Sequence, residues 1–600
     1  MADRMTIRDS ALHALRHFPD AVASAYVDGQ SWTFAEIGSV MAGLFRSFRD
    51  SGIRPGDRVL LLSENQPAWA PVYLAVVSYG AVVVPVLPEF SSEDVMAILD
   101  HSQAKLVYVS KKQKEKLGAA GEAGTGGNTV ETRLVDTVLD EYLSEHVVIA
   151  ADAALAELDA AVAPGPDDTA AIIYTSGTTG HSKGVELSHH NIASNMENSD
   201  HFAGIQKGEQ MLSVLPLAHT YECTLGMLLP FSRGAQVNYL SRAASPTTLM
   251  KALQSVRPQL MLAVPLLIEK IVRSKVIPQL SKGAAGRLKD VPVLGRVIYR
   301  AAGKKLIAAF GGRLRFFGIG GAPLSADVEQ VLFKMKFPYA IGYGLTETAP
   351  LLAGTSVTSN WLRSTGTPTP GVEIRIQNGE IQARGPNIMK GYYRDPERTA
   401  EVFTEDGWFR TGDLGSFDEK GRLYVQGRSK TVILGSGGEN IYPEAIESVI
   451  NQFIGVEESL VLQEGSHLVA RVKVDYEHLA ESAKTITQAT LRRAGDAMGA
   501  AAEAAAEAAG HAGDHAKTFL DDLRKRVNQR LSSFSRISEF REQDEPFVKT
   551  PTSKIKRFLY QQDGESDTDS SDPGGSDLDG SDLDGSDLDG SDPKQDKSKQ

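Results

Sequence analysis

One cysteine, Cys223, stands among 600 residues. A single thiol excludes an internal disulfide and fits a reducing compartment. No activating pattern surrounds it, so it reads as a core or pocket-wall thiol. No run of apolar residues approaches the ~20 needed to span a bilayer as a helix. The longest, Leu74 to Leu87, is broken by Ser78, Gly80 and Pro85 and reads as a helix followed by a buried strand. The polar, charged beginning lacks the apolar core of a secretory signal. A cytoplasmic protein is expected, with room for peripheral contact on the inner face of a membrane. A basic excess is also missing. The net charge is −13, and residues 561–600 supply thirteen acidic side chains against three lysines. The rest of the chain is close to neutral, and nothing in it suggests nucleic acid.

What is present is alternation. Short β-branched runs at 58–63, 81–86, 106–110, 235–240, 259–264 and 314–319 are separated by helical patterns such as 91–102 and 325–336. This reads as open α/β with mainly parallel sheets. Over 360–427 the strands shorten and Gly and Pro turns multiply, which predicts a small antiparallel region. Three parts are expected: a large domain over 1–429, a smaller α+β domain over 430–560, and an acidic tail over 561–600. Inside the second part, about 481–517, lies an Ala-rich insert; alanine favours helix. In the tail Gly-Ser-Asp-Leu-Asp repeats from Gly575, a composition that predicts disorder.

The most telling stretch is Ile173-Tyr-Thr-Ser-Gly-Thr-Thr-Gly-His-Ser-Lys-Gly-Val-Glu-Leu-Ser-His189. A strand runs into a turn of Thr, Ser and Gly carrying one lysine, Lys183. Small residues let the backbone close around a tetrahedral anion with its N–H groups inward, and the lysine adds a point charge. That is the chemistry of a polyphosphate cradle. The Walker pattern Gly-x-x-x-x-Gly-Lys-Ser/Thr does not fit, because Ser182 stands where its second Gly belongs.

Six further motifs follow in order: Leu215-Pro-Leu-Ala-His219, Phe317-Gly-Ile-Gly-Gly-Ala-Pro-Leu324, Gly342-Tyr-Gly-Leu-Thr-Glu-Thr348, Trp408-Phe-Arg-Thr-Gly-Asp-Leu414, Gly427-Arg-Ser-Lys430 and Pro551-Thr-Ser-Lys-Ile-Lys-Arg557. Together with the Thr/Ser/Gly turn they closely resemble the adenylate-forming superfamily of acyl-CoA synthetases, luciferases and peptide-synthetase adenylation domains. The resemblance covers roughly residues 10 to 560. It implies that ATP activates a carboxylate as an acyl adenylate, with the acyl group then passed to a thiol.

The resemblance also implies roles. Thr175, Ser176, Gly177, Thr178, Thr179, Gly180 and Lys183 would hold the phosphates. Glu347 would carry Mg²⁺ and Thr346 a phosphate contact. Tyr343 would stack on adenine, with Gly320, Gly321 and Ala322 closing the backbone on the base. Asp413 and Arg428 would bind the ribose. Lys554 would bridge the carboxylate and the α-phosphate; the usual Gly before it is Ser553 here. Lys430 would be the hinge about which the C-terminal domain swings, bringing Gly437 and Gly438 to a CoA tunnel.

The stretches Leu215–Glu222 and Val264-Pro-Leu-Leu-Ile-Glu-Lys-Ile271 look specifically like long-chain fatty acyl-CoA synthetases. His219 would then lie near the carboxylate end of the acid. Glu222 could instead imitate the acidic partner of an amino-acid substrate. Residues 270–305 hold ten Lys/Arg and one acid, Asp290, interleaved with apolar residues; such a stretch suits either an anionic lipid surface or a solvated helical face. The expected activity is long-chain fatty acid–CoA ligation with ATP, Mg²⁺ and CoA. The alternatives are an acyl-AMP ligase loading a carrier protein, and a non-catalytic acyl- or membrane-binding relative. Intact Lys183, Glu347, Asp413, Arg428 and Lys554 argue against the second.

Overall fold

The computed structural model describes residues 5–121, 130–144, 149–176, 182–242, 245–434, 439–453, 455–465, 467–476, 512–550 and 554–561. Two large sheets carry the first two-thirds of the chain. One has seven strands in the spatial order Gly391–Tyr392, Ser182–Ser188, Thr169–Ser176, Val82–Val86, Arg58–Leu62, Leu106–Val109, Glu131–Leu134. It is parallel from Thr169–Ser176 onward, and the first three strands pair antiparallel. The other has nine strands, with Tyr339–Gly344, Phe316–Ile319, Leu260–Ala263, Gln210–Ser213, Gln236–Tyr239 and Val22–Tyr26 parallel at its centre. Both of its edges are antiparallel.

Strand alternation sorts these sheets into layers. Val59 and Leu61 face a central core with helices Phe34–Asp50 and Trp69–Ser78, while Leu60 and Leu62 face an outer core with helix Ser92–Ser102. The nine-stranded sheet does likewise. Leu260 and Leu262 join the central core, and Met261 and Ala263 join a third core with helices Pro246–Val256, Pro292–Ala309 and Ala326–Met335. The result is sheet and helix in alternating layers, as the β-branched runs predict. Leu74–Leu87 is a helix, Trp69–Ser78, followed by a fully buried strand, Val82–Val86.

The expected antiparallel region is a four-stranded sheet of Glu373–Gln377, Glu380–Arg384, Phe409–Phe417 and Leu423–Arg428. Beyond it, strands Val456–Glu464, His467–Val474 and Glu539–Glu542 pack with helices Pro443–Ile450 and Ala512–Asn528 around a separate core that includes Ile446, Val461, Val472 and Leu523. This later part touches the earlier one: Arg273 donates to the Asn451 carbonyl at 3.3 Å, and the Tyr442 hydroxyl donates to Gln426 Oε1 at 3.1 Å. The Ala-rich insert lies outside the described residues as far as 511, and helix Ala512–Asn528 takes up its last residues. The repeats of the acidic tail also lie outside them. Among the described residues no helix is long and apolar enough to cross a membrane.

Candidate active site

The loop proposed to cradle phosphates joins two strands of a hairpin. Thr169–Ser176 and Ser182–Ser188 pair antiparallel with Thr175 opposite Lys183. Ser188 then caps helix His189–Ala203: its hydroxyl accepts the Asn191 N–H, and the Asn191 side chain accepts the Ser188 N–H. A sheet on one side and a capped helix on the other thus anchor the hairpin. Gly177, Thr178, Thr179 and Gly180 lie outside the described residues, as does the side chain of Ser176. The Thr175 Oγ1 is buried and has no hydrogen-bond partner among the described residues. An orphaned hydroxyl beside a lysine suits an anion.

Lys183 Nζ donates to Glu347 Oε1 at 2.8 Å and to the Tyr392 hydroxyl at 2.6 Å, and that hydroxyl donates to Glu347 Oε1 at 3.0 Å. The ammonium also sits 4.3 Å from the Tyr392 ring centre. Glu347 is buried on a short 3₁₀ turn, Thr346–Thr348. Burial pushes its carboxyl up, but Lys183 and Tyr392 outweigh it, so the acid is held below its ordinary range. Two asparagines fix the segment after Glu347. Asn387 donates to the carbonyls of Thr348 and Leu351 at 2.8 and 3.1 Å, and Asn195 donates to the Leu351 carbonyl at 2.8 Å. Thr346 is half-buried at the start of the turn.

Among the described residues no cluster of three metal-ligating side chains occurs. Mg²⁺ typically needs only one or two carboxylates beside phosphate and water oxygens. The donor set around Glu347 therefore fits Mg²⁺ held jointly with a nucleotide.

A second ion pair closes the other side of the cleft. Asp413 and Arg428 face each other across a β-ladder, and Arg428 Nε lies 2.7 Å from Asp413 Oδ1. The Tyr343 hydroxyl donates to Asp413 Oδ2 at 2.7 Å. Burial raises the Asp413 carboxyl, with Arg428 pulling against it. Tyr343, expected on the adenine, is thus tied by its hydroxyl to the carboxylate expected on the ribose. Gly320 and Gly321 follow strand Phe316–Ile319. A Cβ on Gly320 would lie 3.2 Å from the Tyr221 ring, and Gly321 has φ +86°, where glycine is favoured. Ala322 is exposed beside them.

Lys554 is held to Thr550, whose N–H donates to the Lys554 carbonyl at 2.7 Å. The residue is accessible to solvent, yet its ammonium stands deep enough in the cleft to lose hydration. That loss and Arg428 pull its pKa down, while Asp413 and Glu347 pull it up. Accessibility and desolvation agree for a side chain standing in an open cleft. The same lysine acts on His219, whose pKa falls to about 4, first through burial and then through Lys554. His219 Nδ1 accepts the Tyr221 N–H at 3.2 Å, which assigns the proton of the neutral ring to Nε2. Lys183, Glu347, Asp413, Arg428, His219 and Lys554 are thereby brought to one cleft from five separate regions of the chain. Lys430 is exposed in a 3₁₀ turn, Ser429–Thr431; Gly437 and Gly438 lie outside the described residues.

An apolar cavity adjoins this cleft, lined by Phe202, Met211, Tyr221, Leu225, Leu262 and Ile341, with Gly318 and Gly342 from the two glycine motifs. Glu222 does not point into it as an amine partner. It is fully buried, and its Oε1 accepts from Ser213 Oγ at 2.6 Å. Tyr392, Asn387, Asn195 and Tyr221 are site residues that motif reading missed. Tyr392 has no local signal; pairing with Val185 brings it to Lys183.

This fold and cleft define a nucleotide-dependent enzyme class: residues 12–393 match the model of the AMP-binding enzyme family, and the chain belongs to that family. It is 29% identical over 554 residues to the long-chain-fatty-acid–CoA ligase FadD15 of Mycobacterium bovis, covering 86% of this chain and 88% of that one. It is 30% identical over 524 residues to the peroxisomal long chain acyl-CoA synthetase 6 of Arabidopsis thaliana, covering 79% and 74%. Among solved structures it resembles ATP-bound MatB from Rhodopseudomonas palustris, with a TM-score of 0.69, 24% identity and coverage of 94% and 99%.

Proposed function

We propose that the protein activates a long-chain fatty acid with ATP and transfers the acyl group to CoA. The observation that carries this reading is the apolar cavity opening beside two ion pairs, Lys183–Glu347 and Asp413–Arg428. The names of the relatives point to the same acid. In the first step a carboxylate oxygen of the acid bonds to the α-phosphorus, and the bond to the pyrophosphate oxygen breaks. Lys183, Thr175 and the backbone of the loop hold the departing phosphates. Lys554 neutralises charge on the α-phosphate as it develops, and the neutral His219 offers its Nε2–H to the acid. Asp413 and Arg428 hold the ribose, and Glu347 would hold Mg²⁺, which would supply positive charge beside the phosphates. In the second step the CoA sulfur bonds to the acyl carbon, its proton leaves, and AMP departs.

The same reading divides the chain near Lys430 into a larger domain and a mobile lid over 430–560, with Lys554 withdrawn before the thiol arrives. It also places the protein in the cytoplasm against an anionic membrane. Leu288, Val291, Val293, Leu294 and Val297 are exposed large apolar residues within ten positions. They lie at the entry to helix Pro292–Ala309, among Arg287, Lys289, Arg296 and Arg300. The opposite face of that helix, Gly295, Tyr299, Gly303 and Leu306, is buried. Vesicles of phosphatidylcholine with phosphatidylglycerol should sediment the protein, and Val293→Asp with Val297→Asp should abolish this. Binding that survives both changes contradicts the membrane surface.

Acids of four to twenty carbons, each supplied with ATP and CoA, test the activity. Release of AMP with matching acyl-CoA should rise with chain length. AMP esters accumulating without a CoA thioester would point to a carrier protein as the acceptor instead.

A further inference from the structure

Behind the cleft, Asn65, Ser213 and Glu222 form a hydrogen-bonded chain that the chemistry above does not use. Asn65 follows strand Arg58–Leu62 of the seven-stranded sheet, and Ser213 ends a strand of the nine-stranded sheet. Asn65 Nδ2 donates to Ser213 Oγ at 2.9 Å and to the Leu215 carbonyl at 2.6 Å, and its Oδ1 accepts the Leu217 N–H at 2.8 Å. Ser213 Oγ donates onward to Glu222 Oε1 at 2.6 Å. One amide therefore joins the two sheets and pins the start of the turn that carries His219.

The far end of that turn is held as well. The His219 N–H donates to the Pro216 carbonyl, and the His219 carbonyl accepts the Cys223 N–H, both at 3.0 Å. Glu222 then opens a π-helical segment, Glu222–Leu228. The preceding residue, Tyr221, lies against Gly318 and Gly320 and forms part of the cavity wall. Gly226 makes room for the acid, since a Cβ there would come within 2.7 Å of Glu222 Cδ.

Among the described residues no cation acts on Glu222. The groups that act on it or feel its charge are the Ser213 hydroxyl, the phenols of Tyr221 and Tyr239, and the Cys223 thiol, which itself pairs with Tyr73. Its Oε2 has no partner among the described residues. Burial pushes its pKa up to about 8, with Ser213 pulling the other way. At neutral pH the carboxyl is therefore protonated. Ionising it would leave a dry, unpaired charge beside the turn.

We propose that Asn65, Ser213 and Glu222 are positioning residues that hold the His219–Tyr221 turn against the reacting carboxyl and the cavity mouth. This rests on the fatty-acid reading of the site. The test compares wild type with Glu222→Gln and Ser213→Ala in kcat/KM for the fatty acid across pH. In wild type kcat/KM should fall as pH rises through about 8, mainly through a rising KM for the acid. Glu222→Gln keeps a neutral polar group of the same shape and should lose that descending limb. Ser213→Ala removes the bond that favours the ionised acid, so its limb should move to higher pH. An unmoved limb in both variants overturns the proposal.

A readout without substrate accompanies it. Because the folded pKa of Glu222 is raised, wild-type stability should fall as pH rises from the ordinary glutamate range to about 8. Glu222→Gln should lack that slope, and an identical slope in both proteins also overturns the proposal. If wild type activates no fatty acid, the functional reading fails, and the slope still judges Glu222.

Discussion

Lys183 and Glu347, 164 positions apart in sequence, close a 2.8 Å ion pair at the mouth of the phosphate hairpin, and Tyr392 bonds to both. The pair keeps a buried carboxylate charged while no nucleotide is present. On the reading above, Lys183 would turn to phosphate and Glu347 to Mg²⁺ once both are bound. Tyr392→Phe removes two hydrogen bonds to charged groups, each about 1.5–3 kcal/mol. It should lower kcat/KM for ATP by about tenfold or more, measured as AMP release. An unchanged value would show that Tyr392 plays no part in handing Glu347 to the metal.

The same pair has a pH signature. Glu347 is held below the ordinary glutamate range in the fold, so its pairing contributes stability above that range and loses it as pH falls through the depressed value. Lys183→Met should therefore melt well below wild type at neutral pH, with the gap closing in acid. A gap independent of pH contradicts the ion pair as its source.

The layered sheets were legible because runs such as Val82–Val86 carry no polar side chain and are β-branched except at Pro85, which suits strands covered on both faces. The cleft residues were named through motifs that resemble a known superfamily, and the fold brings Lys183 to Glu347 and Asp413 to Arg428. Tyr392 was not among them. Its part depends on a two-residue edge strand, Gly391–Tyr392, which carries no periodicity of its own. Asn65 was hidden for a similar reason: its three bonds reach residues about 150 positions away, and no local pattern marks them. Glu222 was set aside as an amine partner because the motif around it argues for fatty acids, and the fold turns it toward Ser213.

His219 should act as a neutral donor. With its pKa lowered to about 4, it stays uncharged across the working range. The kcat/KM profile for fatty acid should show no inflection near the ordinary histidine value of about 6.5. His219→Gln, which can still donate one hydrogen bond, should retain more activity than His219→Ala. An inflection near that pH that disappears in His219→Gln would mean the ring titrates in use.

Lys554→Ala should separate the two steps. The lysine is needed while charge develops on the α-phosphate. Adenylation should collapse, while thioester formation from pre-made acyl adenylate continues at a rate close to wild type. Equal loss of both steps in a folded variant contradicts the assignment.

Lys430→Pro tests the hinge. Proline fixes φ near about −65° and restricts the residue before it. Lys554 feels the charges of Arg428, Asp413 and Glu347 in this structure, so on the proposed reading locking the linker should favour adenylation. Pyrophosphate exchange should survive while CoA-dependent turnover falls sharply. Both running at wild-type rate would place the pivot elsewhere.

The most direct measurement of the central claim is ATP–pyrophosphate exchange driven by a long-chain fatty acid in the absence of CoA. It isolates the step that Lys183, Glu347, Asp413, Arg428 and Lys554 are assembled to perform. The account predicts exchange that requires both the acid and Mg²⁺, and that disappears in Lys554→Ala. Exchange absent with every fatty acid, or proceeding equally without one, would contradict it.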